Sequence, residues 1–388
     1  MSNLKRNVEQ VRKARGLSEA ELSSRVGMRQ SELAEFLRSP PKRKEGVIHN
    51  LSRELLVPEV LLFAEEVKVR DTRIPDFRLS KPAPGGYARP TLRWIDFAED
   101  IQKTATDLGG ADKSLRVSAL VDSDAKISDA AKDLRQTLRF TDEVQLGFAN
   151  ARLMFAALRQ AVETLNVFVL QLSFPETDGT GFCITGNPYD VVVINTRKQA
   201  HVRRSFTLAH ELYHCVLGQT GLSDSRVANN AVERRCNSFA AHFLAPADLT
   251  RRIARVLISG DRLDIGELRK FAAKLNISMY ASLLRLVELG IYKDSAIAAW
   301  NRYIERQGDP DIPKGAGGTR VDEWKYKLSK YGFKFASVFG TAKRRDKFDD
   351  LEFYKFSGIK PKYQAAYIEN ASRARAEDAD VDEREDDA

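Results

Sequence analysis

The 388-residue sequence predicts an α+β fold that is mainly helical, with one small β-sheet near the middle of the chain. Apolar residues recur at helical spacing in many segments. β-Branched runs predict strands at V-F-V-L-Q-L (167–172) and V-V-V-I-N (191–195), with G-F-C-I-T (181–185) a weaker third. Two stretches rich in proline and glycine, 74–90 and 307–318, are predicted to be exposed connections that divide the chain.

The composition is that of a soluble protein with enough apolar residues for a core. Apolar residues make up 43% of the chain and charged residues 30%. No apolar run approaches the roughly 20 residues that a membrane span needs, and the N-terminus M-S-N-L-K-R lacks a signal peptide's apolar stretch. Cys183, Cys215 and Cys236 are odd in number and lack C-x-x-C spacing, which argues against a disulfide framework. We therefore expect a cytoplasmic protein without membrane contact.

The formal net charge of +8 is unevenly distributed along the chain. Residues 1–57 carry twelve Lys or Arg against seven Asp or Glu, and such a basic excess favours a polyanionic partner. Residues 377–388 carry eight acidic residues and one arginine. A segment of this kind has almost nothing to bury, so we expect a disordered acidic tail over 371–388.

Residues 1–70 are predicted to form a helical domain that contains a helix-turn-helix. Ser18 suits a helix N-cap, with Glu21 three residues on as its capping-box partner. Gly27 then falls where a short turn must separate two helices, because glycine tolerates positive φ. The apolar residues at helical spacing are Val8 and Val11, Leu22 and Val26, Leu33, Phe36 and Leu37, and Leu51, Leu55 and Leu56.

Between the two proline- and glycine-rich stretches, predicted helices precede and follow the three strands. A small α-rich region is expected after the second stretch, at 319–370. The predicted helices before that region are 91–108, 129–139, 149–164, 203–217, 227–244, 247–256, 265–275 and 279–289.

The stretch F-T-L-A-H-E-L-Y-H, residues 206–214, carries a candidate metal site. Residues four apart on a helix face the same side about 6 Å apart along the axis, so His210 and His214 can direct their imidazoles at one cation. Imidazole nitrogen suits Zn²⁺. Glu211 lies about 100° around the helix and can reach a water beside the metal as a general base. The pattern therefore favours metal-assisted hydrolysis.

A catalytic zinc usually keeps three protein ligands and one open position, so a third ligand is needed. Glu233 follows His214 by 19 residues, on the next predicted helix. Asn237 shares the face of Glu233 and can support a ligand from behind. His242 is the alternative, but nine helical residues place it roughly 180° from Glu233 around the axis. We therefore expect Glu233 to be the third ligand.

These two stretches together resemble a known family. F-T-L-A-H-E-L-Y-H, followed by E-R-R-C-N-S-F-A-A-H-F-L-A-P at 233–246, resembles the ImmA/IrrE family of gluzincin-like metallopeptidases. The resemblance implies a zincin-like domain with zinc ligands at His210, His214 and Glu233 and a general base at Glu211. Members of the family cleave repressor proteins in bacterial stress and mobile-element responses, which implies a protein substrate of that kind.

The stretch L-S-E-A-E-L-S-S-R-V-G-M-R-Q-S-E-L-A-E-F-L-R, residues 17–38, resembles the XRE (Cro/C1-type) repressor domain. The resemblance implies that the second helix of the motif enters the major groove of DNA, with Arg29, Gln30 and Ser31 at its start. Arg and Gln are the side chains that pair bidentately with guanine and adenine.

Some charges around this motif favour DNA binding, and others oppose it. Lys42, Arg43 and Lys44 form a basic run that is expected to hold DNA phosphates. Glu19 stands where the family usually has a glutamine that touches the DNA backbone, and Glu32 adds a further negative charge. A helical module for protein contact or dimerisation is therefore the alternative to DNA binding.

The whole chain resembles a recurring architecture in which an XRE domain precedes a linker and this kind of peptidase. The predicted parts are an XRE-type domain at 1–70, a linker at 71–93, a zincin-like peptidase domain at 94–306, a small α-rich region at 319–370 and the tail at 371–388.

The resulting functional prediction is a cytoplasmic zinc metallo-endopeptidase with a DNA-binding head, which cleaves a repressor or regulator protein to control transcription. Its expected partners are that protein and double-stranded DNA, and a dimer is one option for its oligomeric state. Two alternatives stay open. One is an XRE-family transcriptional regulator whose zinc domain is a sensor with little peptidase activity, and the other is an interaction protein of a toxin–antitoxin or phage system whose zinc is structural.

Overall fold

The chain begins with a unit of short helices that corresponds to the predicted N-terminal domain. The computed structural model describes residues 2–39, 45–67, 86–223, 231–311 and 321–374. The predicted phosphate contacts Lys42, Arg43 and Lys44 and the acidic residues 377–388 lie outside the described residues. The helices of the N-terminal unit are α1 (Asn3–Ala14), α2 (Glu19–Val26), α3 (Gln30–Arg38), α4 (Glu45–Leu55) and α5 (Glu59–Leu62).

The N-terminal unit has a hydrophobic core of its own. Every apolar residue predicted to line that core is buried except Leu56, which follows the end of α4 with φ of +55°. The capping box at the start of α2 is confirmed: Glu21 N–H donates to Ser18 Oγ at 3.2 Å, and Ser18 N–H donates to the Glu21 carboxylate at 2.7 Å. Gly27 ends α2 in the left-handed conformation, with φ of +77°, and α3 begins three residues later. The order helix, turn, helix is therefore present.

The body of the protein surrounds a four-stranded sheet in the described part of the chain. Its order is β1-β3-β2-β4, with β1 parallel to β3 and β2 antiparallel to both β3 and β4. The three predicted strands are confirmed to within one residue, whereas β4 was not predicted because its three residues carry no alternating pattern. The strands are β1 (Val167–Leu172), β2 (Gly181–Ile184), β3 (Asp190–Asn195) and β4 (Gly221–Ser223).

Helices flank this sheet in sequence and cover it in space. Before the sheet lie α6 (Arg89–Leu108), α7 (Val117–Leu120), α8 (Ile127–Thr137), α9 (Asp142–Gly147) and α10 (Ala151–Val162). After β3 come α11 (His201–Leu217), α12 (Ala231–Leu244), α13 (Ala247–Leu257), α14 (Ile265–Leu275), α15 (Met279–Glu288) and α16 (Ser295–Gln307). The chain continues with α17 (Glu323–Arg344), α18 (Asp350–Ser357) and α19 (Pro361–Ala371).

Both faces of the sheet are buried, which explains why its strands are nearly continuous apolar runs. Successive residues of a strand point to opposite faces. Val167 and Val169 accordingly join a core with α10, α11 and α12, whereas Phe168 and Leu170 join a second core on the other face. The candidate metal helix, α11, lies on the first of these faces.

The second face is covered by α6 and by the C-terminal helices. Ile95 of α6 and Phe335 of α17 belong to the same buried cluster as the strand residues of this face. Arg159 of α10 also reaches α17, where its Nη1 donates to the carbonyl of Ser329 at 2.6 Å. The predicted α-rich region at 319–370 therefore completes the core of the sheet.

A buried ion pair lies where α17 is kinked, at Gly332, whose φ is +83°. Oε1 of Glu163 is 3.6 Å from Nε of Arg159, and both side chains are 1% exposed. Oε2 of Glu163 accepts the backbone N–H of Phe333 at 2.8 Å. Burial raises the pKa of Glu163 to about 7, although the charge of Arg159 opposes this rise. The contacts of Glu163 with Arg159 and Phe333 thus join α10 to the C-terminal helices.

The predicted helices are observed within about two residues of their expected bounds, except that the first four residues of the predicted helix 227–244 lie outside the described residues. Residues 71–85 of the predicted linker 71–93 lie outside the described residues, and the prediction is wrong only at its end, because residues 89–93 belong to α6. Pro90 lies in the first turn of that helix, where the N–H that proline lacks has no intrahelical partner to lose. The helices α7, α9 and α16 were not predicted. Within the described residues, none of the helices has the length and apolar character to cross a membrane.

Candidate metal centre

Helix α11 brings two imidazoles together. The helix begins after Ala200 and ends at Gly218, which adopts the left-handed conformation of a C-terminal cap with φ of +65°. His210 and His214, four residues apart, have ring centroids 5.1 Å apart, and both side chains are 0% exposed. Leu212 on the same helix belongs to the core shared with the sheet, so packing fixes the rotation of the helix.

Helix α12 adds a carboxylate at the same point. Oε1 of Glu233 lies 3.1 Å from Nε2 of His214, and Oε2 lies 3.4 Å from Nε2 of His210. The Glu233 side chain is fully buried. The structure therefore brings together the three side chains that the sequence predicts as metal ligands.

Asn237, one turn after Glu233, orients one of the two imidazoles. Its Oδ1 lies 2.9 Å from Nδ1 of His210. A carbonyl oxygen can only accept, so Nδ1 carries the proton and Nε2 keeps its lone pair towards Glu233. This is the supporting position that the sequence predicts for Asn237.

The carboxylate of Glu211 lies against strand β2. A Cβ added to Gly181 would lie 3.0 Å from Oε1 of Glu211 and 2.8 Å from the carbonyl oxygen of Val193, so only glycine leaves this room. Burial raises the pKa of Glu211 well above its usual value, and the neighbouring Cys183 and Glu233 raise it further. A carboxylate in such surroundings has the basicity to accept a proton from water.

Ser223 of β4 approaches both α11 side chains. Its hydroxyl oxygen is 3.2 Å from Nε2 of His214 and donates to Oε2 of Glu211 at 3.4 Å. An oxygen atom of the protein is thus held between a predicted ligand and the predicted base. The Ser223 side chain is itself fully buried.

Cys236 is an alternative third donor beside the two imidazoles. The donor atoms of His210, His214 and Cys236 all lie within 4.8 Å of one another. Burial, reinforced by nearby carboxylates, raises the pKa of the Cys236 thiol. Burial also opposes ionisation of Glu233, but interactions with the neighbouring His210 and His214 side chains outweigh it and lower the pKa of that carboxyl. The two carboxylate oxygens of Glu233 lie 3.1 Å and 3.4 Å from the Nε2 atoms of His214 and His210, and this geometry favours Glu233 over Cys236 as the third donor.

The donor set fits a divalent cation such as Zn²⁺. Two imidazoles and one carboxylate are a known ligand combination of catalytic zinc sites. Nε2 of His210 and Oε1 of Glu211 are buried and make no hydrogen bond within the described residues, a costly state that a nearby cation would relieve. Burial lowers the pKa of His214, which favours the neutral imidazole that binds metals.

His242, the alternative third ligand, does not join the cluster. Its Nδ1 lies 2.8 Å from the carbonyl oxygen of Ser238, and its Nε2 lies 3.4 Å from Nη1 of Arg285. This position agrees with the helical angle that separates His242 from Glu233.

The predicted DNA-reading residues lie at the exposed start of α3. Arg29 precedes the helix as its N-cap, and Gln30 and Ser31 begin it. Nε of Arg29 is 3.3 Å from the carboxylate of Glu32, and Nε2 of Gln30 donates to Glu19 at 3.1 Å. Both polar side chains are therefore held by acidic neighbours of the same unit.

Three residues of the centre were missed by sequence reasoning. Cys236 lies three residues after Glu233, a spacing that places both on nearly one helix face, so this signal was available. Gly181 and Ser223 reach the centre because they are partners in the register of β2 and β4. No local pattern in the sequence reveals that pairing.

Two imidazoles and one carboxylate, buried on two packed helices, fit a metal ion, and the family comparison suggests the class metallopeptidase. The comparison with protein families is more specific. Residues 162–287 match the family model Peptidase_M78, described as the IrrE N-terminal-like domain. The match covers about a third of the chain and includes the helices α11 and α12 that carry the cluster. Among curated proteins, none matches the chain.

Proposed function

We propose that the protein is a zinc-dependent metallo-endopeptidase in which His210, His214 and Glu233 hold the metal and Glu211 is the general base. The convergence of Glu233 on both Nε2 atoms, at 3.1 Å and 3.4 Å, carries this proposal. The match of this segment to a peptidase family supports it. Zinc, when bound, lowers the pKa of its water towards about 7 and polarises a substrate carbonyl.

The side chains of the centre divide the chemical work. His210 and His214 supply neutral nitrogens, and Asn237 keeps the proton of His210 on Nδ1. Glu233 supplies negative charge that partly neutralises the cation. Glu211 accepts a proton from the attacking water and returns it to the leaving amine, as a general base and then a general acid.

An extended stretch of a protein chain suits this centre. Strand β4 lies at the edge of the sheet, and an extended peptide can add to such an edge through backbone hydrogen bonds. The ligand side chains and Glu211 are 0% exposed, so entry of a substrate requires a covering element to move.

We further propose that the substrate is a repressor or regulator protein in the cytoplasm. The N-terminal unit has a separate core and the order helix, turn, helix, which supports a binding head joined to the peptidase. A head that binds DNA would raise the local concentration of the peptidase near DNA-bound proteins.

The variant Glu211→Gln tests the enzymatic role. It preserves the shape of the side chain, so zinc content should be unchanged, whereas hydrolysis should fall by about 10²–10⁴-fold because the proton acceptor is lost. Cleavage of fluorescein-labelled casein by the zinc-loaded protein is the measurement, with the exposed Glu305→Gln on α16 as the matched control. Cleavage by the Glu211→Gln variant at the rate of the unmodified chain would refute the general-base role.

DNA binding by the head is a separate part of the proposal. Its proposed base contacts are Arg29, Gln30 and Ser31, and its proposed phosphate contacts are Lys42, Arg43 and Lys44. Affinity for duplex DNA should fall steeply as salt rises, because phosphate contacts release counterions. The double variant Arg29→Ala/Gln30→Ala should bind more weakly, with the exposed Arg302→Ala as control. Equal affinity of this double variant and the control would leave the dimerisation or protein-contact alternative.

One observation favours the transcriptional-regulator alternative, in which the zinc domain senses and cleaves little. Ser223 lies beside His214 and Glu211 in a centre that is fully buried. Under this alternative, Glu211→Gln leaves transcriptional control unchanged, whereas under the peptidase proposal it abolishes derepression. The oligomeric state stays a prediction.

A further inference from the structure

A groove separates the N-terminal unit from the body and shares no lining residue with the metal centre. Its volume is about 580 Å³, within the range of about 300–1,000 Å³ that is usual for small-molecule sites. The described residues that line it are Ser52, Arg53, Leu56, Val57 and Pro58 from the N-terminal unit, and Arg89, Pro90, Arg93, Trp94, Ser173, Phe174, Pro175 and Arg197 from the body.

The groove lies beyond the carboxyl ends of the two parallel strands. Ser173, Phe174 and Pro175 directly follow β1, and Arg197 lies two residues after the end of β3. In open α/β sheets, ligands bind in the crevice outside the carboxyl ends of the strands, where the strand order reverses. The groove lies at the corresponding end of the parallel pair β1 and β3 in this mixed sheet.

Four arginines give the groove a strongly cationic wall. Arg53 comes from the N-terminal unit, Arg89 and Arg93 from the first turns of α6, and Arg197 from the loop before α11. No acidic residue is among the described lining, and the Arg53 guanidinium lies near Glu54, at 3.3 Å. All four arginines are exposed to solvent. Guanidinium groups bind phosphate oxygens in pairs of hydrogen bonds, which makes phosphate a fitting ligand group.

The remaining lining is mostly apolar and partly aromatic, with Ser52 and Ser173 as its polar members. Leu56, Pro58, Trp94 and Phe174 contribute to it, and Nε1 of Trp94 donates to the carbonyl of Ser173 at 2.9 Å, which holds the indole in place. A ligand that fits both walls has several negative charges at one end and a flat apolar group at the other. We propose that this groove binds a nucleotide with two or more phosphates.

Such a ligand would join the two parts of the protein. The parts already meet next to the groove: Nη1 of Arg15 is 2.7 Å from Asp96, and Nη2 of Arg25 donates to the carbonyl of Tyr87 at 3.0 Å. Phosphates that contact Arg53 on one side and Arg93 on the other add a bridge to these contacts. Nucleotide binding should therefore raise the melting temperature of the full chain.

The test is a titration of the full-length chain with methylanthraniloyl-ATP, followed by fluorescence anisotropy, with unlabelled ATP as competitor. Saturable binding is expected. The double variant Arg93→Ala/Arg197→Ala should bind at least about tenfold more weakly, because it loses two guanidinium contacts. The control Arg302→Ala, an exposed arginine of α16, should bind like the unmodified chain. Circular dichroism melting of each variant establishes that it is folded.

Competitors define the ligand class. Unlabelled ATP should displace the probe, whereas adenosine and inorganic pyrophosphate should each compete at least about tenfold less well, because each lacks one half of the ligand. The proposal is overturned by absence of saturable binding, by equal affinity of the folded double variant and the control, or by pyrophosphate competing as well as ATP. Displacement by a short DNA duplex as effective as that by ATP would also overturn it and assign the arginines to nucleic acid. None of these readouts depends on peptide hydrolysis, so they leave the proposed peptidase activity untouched.

Discussion

Gly181 of β2 is the register partner of Ser223 of β4, and both residues lie against the carboxylate of Glu211. Gly181 leaves space for that carboxylate, and Ser223 donates a hydrogen bond to it. Strands β2 and β4 therefore contact the Glu211 side chain of the candidate metal centre. Changes in the sheet should therefore alter the chemistry of α11, although no strand residue is a proposed ligand.

Gly181→Ala should destabilise the protein and displace Glu211. The added Cβ would lie 2.8 Å from both the Val193 carbonyl oxygen and Cγ2 of Thr207, so β2 and α11 must separate. We expect a loss of about 1–3 kcal/mol in the free energy of unfolding, measured by urea denaturation. Gly260→Ala is the control, since its Cβ meets nothing within 4 Å. Equal stability of the two variants would contradict this role of Gly181.

Ser223→Ala should retain bound zinc in full. The Ser223 hydroxyl lies 3.2 Å from Nε2 of His214, but in the proposed site it is not a ligand, because a catalytic zinc keeps one position open. Metal content by mass spectrometry is the measurement. A variant that is folded yet has lost its zinc would show that Ser223 closes the coordination shell, which is the arrangement of a structural metal.

Asn237→Ala should weaken zinc binding without abolishing it. The variant removes the acceptor that holds Nδ1 of His210, and loss of such a supporting hydrogen bond typically costs about 10–100-fold in metal affinity. Competition with a chromogenic zinc chelator gives the affinity. Asn301→Ala on the exposed side of α16 serves as control. An unchanged zinc affinity of Asn237→Ala would show that Asn237 does not support metal binding.

Glu163→Gln should change the pH dependence of stability. Folding raises the pKa of Glu163 from 4.5 to about 7, chiefly through burial. The folded state therefore binds a proton more readily, and the contribution of this group is full below the unfolded value and is lost as pH rises through about 7. The unfolding free energy of the unmodified chain should fall more than that of Glu163→Gln between about pH 5 and pH 8. Parallel urea denaturation of both proteins measures this, and identical pH slopes would contradict it.

Local periodicity accounts for what the sequence could predict. The i, i+4 spacing of His210 and His214 predicts that both side chains lie on one face of a helix. The β-branched and apolar residues of 167–172 predict a strand. The proposed ligand Glu233 could not be predicted from spacing alone, because its approach to the two imidazoles depends on how α11 and α12 pack. Its helix face and the resemblance to a peptidase family supplied that expectation.

Long-range packing accounts for what the sequence could not predict. Phe335 of α17 packs in the same core as Phe168 on the second face of the sheet, and no pattern in the sequence predicts that these two residues lie together. The pairing of Gly181 with Ser223 likewise appears only once β2 and β4 are aligned. The end of the predicted linker was wrong because Pro90 was interpreted as part of a loop. Proline is also common in the first turn of a helix, and Pro90 lies in the first turn of α6.

The zinc content of four variants tests the central claim, that His210, His214 and Glu233 hold one metal ion. Elemental mass spectrometry of the purified chain should find about one zinc per molecule, as a mononuclear site requires. His210→Ala and Glu233→Ala should lose it, whereas Cys236→Ser and His242→Ala should keep it. Full zinc occupancy in Glu233→Ala, together with its loss from Cys236→Ser, would contradict the account and assign the third ligand to the thiol.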